Sequence, residues 1–202
     1  MKTHFLLSFA AIVIALSTPS FGQPATINTN SAVNGVACDN HVEMVPQAGI
    51  RDHIPEDQEP VYASNPPVTG EHYARWARWA IYTDTLPRGH WVHNLEHGGV
   101  IFIYRPDADP ALIEALLRVY NAIPDDPECG HRRTIVTPDP LLDAPWAVTV
   151  TGPEPDPGGG DFGFGFFIKA DCIQDEQALV DFAVAHRNQA YEDVCADGDA
   201  PY

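Results

Sequence analysis

Apolar and polar positions alternate with different periods along this chain, and the periods predict its elements. Val100-Ile101-Phe102-Ile103-Tyr104 is a near-continuous apolar run, the pattern of a strand buried on both faces. Asp109-Pro110 is a good N-cap and first helical residue, opening an amphipathic helix through Ile123 with Leu112, Ile113, Leu116, Leu117 and Tyr120 as its stripe. Residues 133–137 and 146–151 alternate as strands do, and residues 164–169 read as another strand. Residues 151–161 form a Pro/Gly loop, and a last helix over about 175–189 carries Leu179, Val180, Phe182 and Ala183.

The pattern is weaker upstream. Residues 38–62 carry scattered prolines and acids and read as irregular structure tied down by Cys38. Asn65-Pro66-Pro67-Val68-Thr69-Gly70 is a rigid turn, because two prolines fix φ and Gly70 restores freedom. Residues 71–79 are aromatic-rich and are expected to make one or two helical turns. The order predicts an α+β fold of two layers. Two main helices pack on a mostly antiparallel sheet, and an irregular N-terminal region wraps one side.

The beginning of the chain reads as an address rather than as fold. Lys2 precedes an apolar run over residues 5–16, and Ser20-Phe21-Gly22 places small residues where a signal peptidase cuts. That run of about 12 residues is short of the roughly 20 that a spanning helix needs. The expected organisation is a signal peptide over 1–22, a disordered lead-in over 23–37, one α+β domain over 38–195 and a tail over 196–202. The mature chain is thus expected in the periplasm or outside the cell, with no membrane span.

Charge narrows the partners. Removing residues 1–22 removes Lys2 alone among the charged residues, so 11 Lys and Arg become 10 against 28 Asp and Glu, a net −18 with His neutral. Nucleic acid is excluded, because binding it needs a basic footprint. The sequence names no protein partner. Cys38, Cys129, Cys172 and Cys195 all lie in the mature chain, and an even count in an oxidising compartment predicts two disulfides. Cys172 and Cys195 bracket the last helix, whose ends lie roughly 20 Å apart at 1.5 Å per residue. Disulfide-linked Cα atoms lie within about 7 Å, so pairing of these two is disfavoured and each is expected to join Cys38 or Cys129.

The chemistry concentrates in His93-Asn94-Leu95-Glu96-His97, followed by Gly98-Gly99. On one helical turn, residues four apart share a face with Cβ atoms about 5–6 Å apart. Both imidazoles can then reach one metal ion, with Glu96 beside them to orient a bound water or accept its proton. The order His-x-x-Glu-His is that of inverted zinc peptidases. There, however, the motif sits in a long helix of a larger chain, while here two glycines and a strand follow at once. No Gly-x-Ser-x-Gly elbow is present, and Gly158-Gly159-Gly160 lacks the strand-loop-helix setting of a phosphate loop. Two histidines need another ligand to hold zinc or copper securely. His72, directly after the Pro-Pro turn, is the first candidate, and His53, in a constrained Arg51-Asp52-His53-Ile54-Pro55 segment, is the second. His90 can join only if the turn is helical there, and His186 reads as a surface residue.

These pieces resemble the family of domain of unknown function 3105. The carrying residues are Pro66-Pro67-Val68-Thr69-Gly70-Glu71-His72 and His93-Asn94-Leu95-Glu96-His97-Gly98-Gly99-Val100, with His53 upstream and Tyr104-Arg105-Pro106 after the strand. Val68-Thr69 stands where the family pattern has Thr-Ser. The resemblance spans about residues 51–191. It implies an exported or membrane-tethered protein without an agreed activity, and it groups His72, His93 and His97. The expected function is therefore an exported metal-binding domain holding zinc or copper on His72, His93 and His97, with His53 as a fourth ligand. If the domain is catalytic, Glu96 is its base. Met44 is the only methionine of the mature chain, which argues against a Met-rich Cu(I) carrier. The alternative is a non-catalytic extracellular interaction module with the histidines in a structural hydrogen-bond network.

Overall fold

The computed structural model describes residues 40–46, 52–152, 164–190, 192 and 194–200. The expected signal peptide and lead-in, and most of the Pro/Gly loop, lie outside these residues. The described elements are β1 (Asn40–Pro46), β2 (His53–Ile54), β3 (His72–Tyr73), α1 (Arg88–Glu96), β4 (Val100–Tyr104), α2 (Pro110–Ala122), β5 (Thr134–Pro138), β6 (Trp146–Thr151), β7 (Phe164–Ala170) and α3 (Glu176–His186). Five strands form one sheet in the order β1-β7-β6-β4-β5. The three pairs β1/β7, β7/β6 and β6/β4 are antiparallel, and only β4/β5 is parallel, joined by the crossover helix α2. The fold is α+β with a mostly antiparallel sheet, as the sequence pattern predicts, but Asn40–Pro46, expected to be irregular, is an edge strand paired with β7.

All five residues of β4 are buried, for the reason its unbroken apolar run implies. Val100, Phe102 and Tyr104 face α2 and α3, packing with Leu116, Val119, Leu179 and Phe182. Ile101 and Ile103 point to the opposite face, where Trp91, Val92 and Leu95 of α1 join Trp79, Tyr82 and Leu86. The sheet therefore separates two cores, and the second one carries α1 on its back. The α2 cap is as expected: the Asp109 side chain accepts from Ala111 N at 2.9 Å.

Helix α1 has almost no polar face, since Gly89 through Leu95 are all buried. It ends in a Schellman motif. Gly99 N donates to Asn94 O at 2.8 Å and Gly98 N to Leu95 O at 3.0 Å. Gly98 sits at φ +78°, where a Cβ is strained, and a Cβ on Gly99 would lie 2.6 Å from the Trp79 ring. The two glycines thus stop the helix and bring its C-terminus tight against Trp79.

Residues 71–79 differ from the expected helical turns. His72 and Tyr73 instead pair in parallel with His53 and Ile54. Beyond them, Asn94 occupies the backbone of Ala77, its Oδ1 accepting from Ala77 N and its Nδ2 donating to Ala77 O, both at 2.9 Å. Those backbone groups are bonded across the core and are not spent on helical partners. The Pro-Pro turn before them is anchored to the sheet. Thr149 and Thr151 of β6 donate their hydroxyls to Pro67 O and Val68 O, each at 2.9 Å. Val68 is buried over Gly165, which accounts for an apolar residue at that place in the turn.

Cys129 and Cys195 form a disulfide, and Cys172 is disulfide-bonded as well. The observed pair agrees with the argument against joining Cys172 to Cys195. Beneath the disulfide, the fully buried Arg133 directs its guanidinium at both sulfurs and donates to His97 O at 3.3 Å. Its Nε lies 3.3 Å from Asp126 Oδ2. The segment after α3 returns to α1: Asn188 N donates to Gly98 O at 3.0 Å and Glu192 N to Glu96 O at 3.2 Å. Residues 196–200 also pack closely, with Trp79 N donating to Asp197 Oδ1 and Ala200 N to Trp76 O.

Candidate metal centre

Three separate parts of the chain deliver the histidines to one place. The pairing of β2 with β3 sets His53 opposite His72. Helix α1 presents His93 and, one turn later, His97. Ring centroids lie 5.0 Å apart for His53 and His72, 4.9 Å for His53 and His93, 4.6 Å for His72 and His93, and 4.5 Å for His93 and His97. His72, His93 and His97 are buried, while His53 is exposed.

Backbone carbonyls fix which nitrogen is bare in two of the rings, those of His72 and His93. His72 Nδ1 donates to Gly70 O at 2.8 Å, and His93 Nδ1 donates to Tyr73 O at 2.7 Å. A carbonyl can only accept, so the proton sits on Nδ1 and the Nε2 lone pair faces the cluster. This is the arrangement that orients histidine ligands at metal sites. His72 Nε2 is buried without a hydrogen-bond partner and lies 3.0 Å from Glu96 Oε2. Two lone pairs face each other there, and only a proton or a cation reconciles them. His93 Nε2 lies 3.2 Å from His97 Nε2. Two nitrogens bound to one tetrahedral ion at about 2.0–2.1 Å would be separated by roughly 3.3 Å.

Burial also sets the protonation. Removal from water pushes the His93 imidazole from its ordinary 6.5 down to about 4, with the neighbouring His72 and His97 adding to the fall against the Tyr73 carbonyl bond and Glu96. His97 is likewise lowered to about 4 by burial, although Glu96 opposes the shift. Both rings are therefore neutral at pH 7, the form that binds metal.

The donors fall into two groups, within each of which the candidate ligand atoms lie no more than 4.8 Å apart. One is His53, His72, His93 and Glu96; the other is Glu96, His97 and Glu192. All five residues singled out in the sequence thus come together, with Glu96 common to both groups. Glu192 Oε2 stands 3.5 Å from His97 Nε2. Nothing in the sequence marks Glu192. It lies on a segment without periodicity, and only Cys195 shortly after it hints that this part of the chain is tied down.

The other candidates have different employment. His90 is buried, with Nδ1 donating to Arg75 O at 2.7 Å and its ring against Tyr73. His131 stacks on Trp79, and His186 packs against Phe166 and Phe182, so it is not a freely solvated surface residue. Trp76 walls the centre, its ring centroid 5.0 Å from His93 and 4.7 Å from His97. Trp79 and Trp91 belong to the core.

A family model described as "Protein of unknown function (DUF3105)" matches residues 53–154, half of the chain. The matched span contains His53, His72, His93, Glu96 and His97, and Glu192 lies outside it. No curated protein and no solved structure matches the chain.

Proposed function

The chain belongs to the DUF3105 family of proteins of unknown function, and we propose that it is an exported domain that binds a zinc or copper ion. The ion is held by His72, His93 and His97, with His53 and the Glu96 carboxylate completing the donor set. One observation carries the reading. His72 and His93 each donate Nδ1–H to a backbone carbonyl, so their Nε2 atoms turn inward, one toward Glu96 and the other toward His97. Imidazole suits both zinc and copper. Export is supported by the N-terminal apolar run and by the Cys129–Cys195 disulfide. No helix among the described residues is long and apolar enough to cross a membrane.

If the domain is catalytic, the ion would supply Lewis acidity toward a bound water. A Glu96 carboxylate not itself bound to the ion would orient such a water or take its proton. The exposed His53 and the half-exposed Glu192 leave the centre open to solvent on their side.

A second reading rests on the same contacts without an ion. The His93–His97 approach is then a hydrogen bond, and His72–Glu96 an imidazolium–carboxylate pair inside a structural interaction module. Thermal melting separates the two. Metal binding predicts that chelation lowers the Tm and that added Zn2+ or Cu2+ restores it. The structural network predicts a Tm indifferent to chelator and metal alike.

A further inference from the structure

The centre has more donors than one zinc-like ion uses. His53, His72, His93 and Glu96 already supply the four of a tetrahedral shell. His97, a ligand of the ion when only one is bound, also lies with Glu192 about Glu96, which they approach from two directions: the end of α1 and the segment after α3. We propose that the centre holds two ions, the first on His53, His72, His93 and Glu96, the second on Glu96, His97 and Glu192, with the Glu96 carboxylate shared. This rests on the metal-binding reading.

Glu192 is built into its position. Its own N–H donates to Glu96 O at 3.2 Å, so the backbone of one carboxylate is fastened to that of the other. Upstream, Asn188 N is bonded to Gly98 O. Downstream, Cys195 is locked to Cys129, and its carbonyl is met by His131 Nε2 at 3.0 Å. With the backbone held on both sides, the side chain is directed at the buried His97 Nε2. The Glu96 and Glu192 carboxylates, within 4.8 Å of one another beside the buried His97 Nε2, repel each other in a chain of net charge −17. A cation among them turns that repulsion into ligation. The nearby guanidinium of Arg133 is directed at Asp126, the disulfide sulfurs and the His97 carbonyl.

The two positions differ in character. The first has four protein donors. The second has three, one of them the half-exposed Glu192, and leaves a coordination position for water, the pattern that catalytic zinc sites share. Carboxylate-bridged pairs in known two-metal sites lie about 3.5–4 Å apart. The second ion is therefore the more weakly held and exchangeable one, and Glu96 serves both as a bridge.

The test is a calorimetric Zn2+ titration of the chelated full-length mature protein, run beside Glu192→Ala and the shape-conserving Glu192→Gln. The wild type should take up two equivalents in two phases, Glu192→Ala one, and Glu192→Gln a second equivalent at least tenfold weaker. A Cu2+ titration followed by electron paramagnetic resonance gives an independent readout: the single-ion signal should grow to one equivalent and be attenuated by spin coupling as the second binds. One equivalent in the wild type and in both variants overturns the two-ion centre and leaves the metal-binding reading standing. Two equivalents in wild type and Glu192→Ala alike overturn the role of Glu192. No uptake by the wild type removes both proposals.

Discussion

Replacing Asn94 by Leu should be among the most damaging single changes in this chain, although Asn94 is no candidate ligand. The residue is fully buried, as is Ala77, whose N–H and C=O it engages at 2.9 Å each. Leucine fills a similar volume but answers neither group. Each buried backbone group left unpaired costs about 1–3 kcal/mol, so the loss is about 2–6 kcal/mol, against a typical stability of about 5–15 kcal/mol. Urea unfolding of chelated protein, followed by tryptophan fluorescence, reads it directly. With m near 2 kcal/mol per M, the midpoint should fall by about 1–3 M at unchanged m. Asn94→Asp keeps the acceptor for Ala77 N but sets an oxygen against Ala77 O and buries a charge. It should be at least as harmful at pH 7 and recover part of the difference from wild type in acid, where the protonated carboxyl can donate. A midpoint shift below about 0.3 M for Asn94→Leu would refute the claim that Asn94 holds the segment from His72 to Trp79 in place.

Gly99→Ala should lower stability by about 1–3 kcal/mol through overpacking, because its Cβ would meet the Trp79 ring at 2.6 Å and Asn94 O at 2.7 Å; a neutral midpoint in urea would contradict this. Asp126→Asn should cost about 3–5 kcal/mol, since it leaves the buried Arg133 and the neighbouring Arg187 without their carboxylate. Burial opposes its ionisation, but bonds from Glu128 N and Asn188 together with the two arginines hold the Asp126 carboxyl below its ordinary value. Its contribution is therefore present at neutral pH and lost in acid, below the carboxylate range, and the Asn variant should lack that acid limb in urea midpoints. The metal-free protein should also lose stability as pH falls from about 6.5, where unfolded histidines take up protons, to about 4, where His93 and His97 do so in the fold. The steepest slope should be about 1–2 kcal/mol per pH unit. A His93→Gln/His97→Gln double variant should flatten this window, and an unchanged slope would contradict the burial argument.

The elements easiest to read in the sequence are those whose periodicity reports burial directly. β4 is apolar at every position because both its faces are covered, and α2 has a capped N-terminus and a clear stripe. The region 71–79 was not legible, because its conformation is set by partners far away in sequence: β2 for His72 and Tyr73, Asn94 for Ala77. The same holds within the centre. His93, Glu96 and His97 are visible because helical spacing encodes their proximity, and the Pro-Pro turn points to His72. His53 is visible in a constrained segment, although its place opposite His72 depends on a two-residue strand pairing, which no local pattern encodes. Glu192 depends on backbone bonds to Glu96 and on a disulfide, and it is one of 28 acidic residues in a strongly negative chain. Local pattern thus exposed the helical half of the centre and the two histidines in constrained segments, and tertiary hydrogen bonds supplied Glu192.

The central claim is that the histidine cluster is a metal centre, and elemental analysis of the purified mature protein tests it most directly. Zinc or copper is expected in stoichiometric amount in the wild type, lost from His72→Ala and from His93→Ala while circular dichroism still reports a folded chain. A wild type without metal under metal-replete expression, or folded variants that keep the full complement, would contradict it.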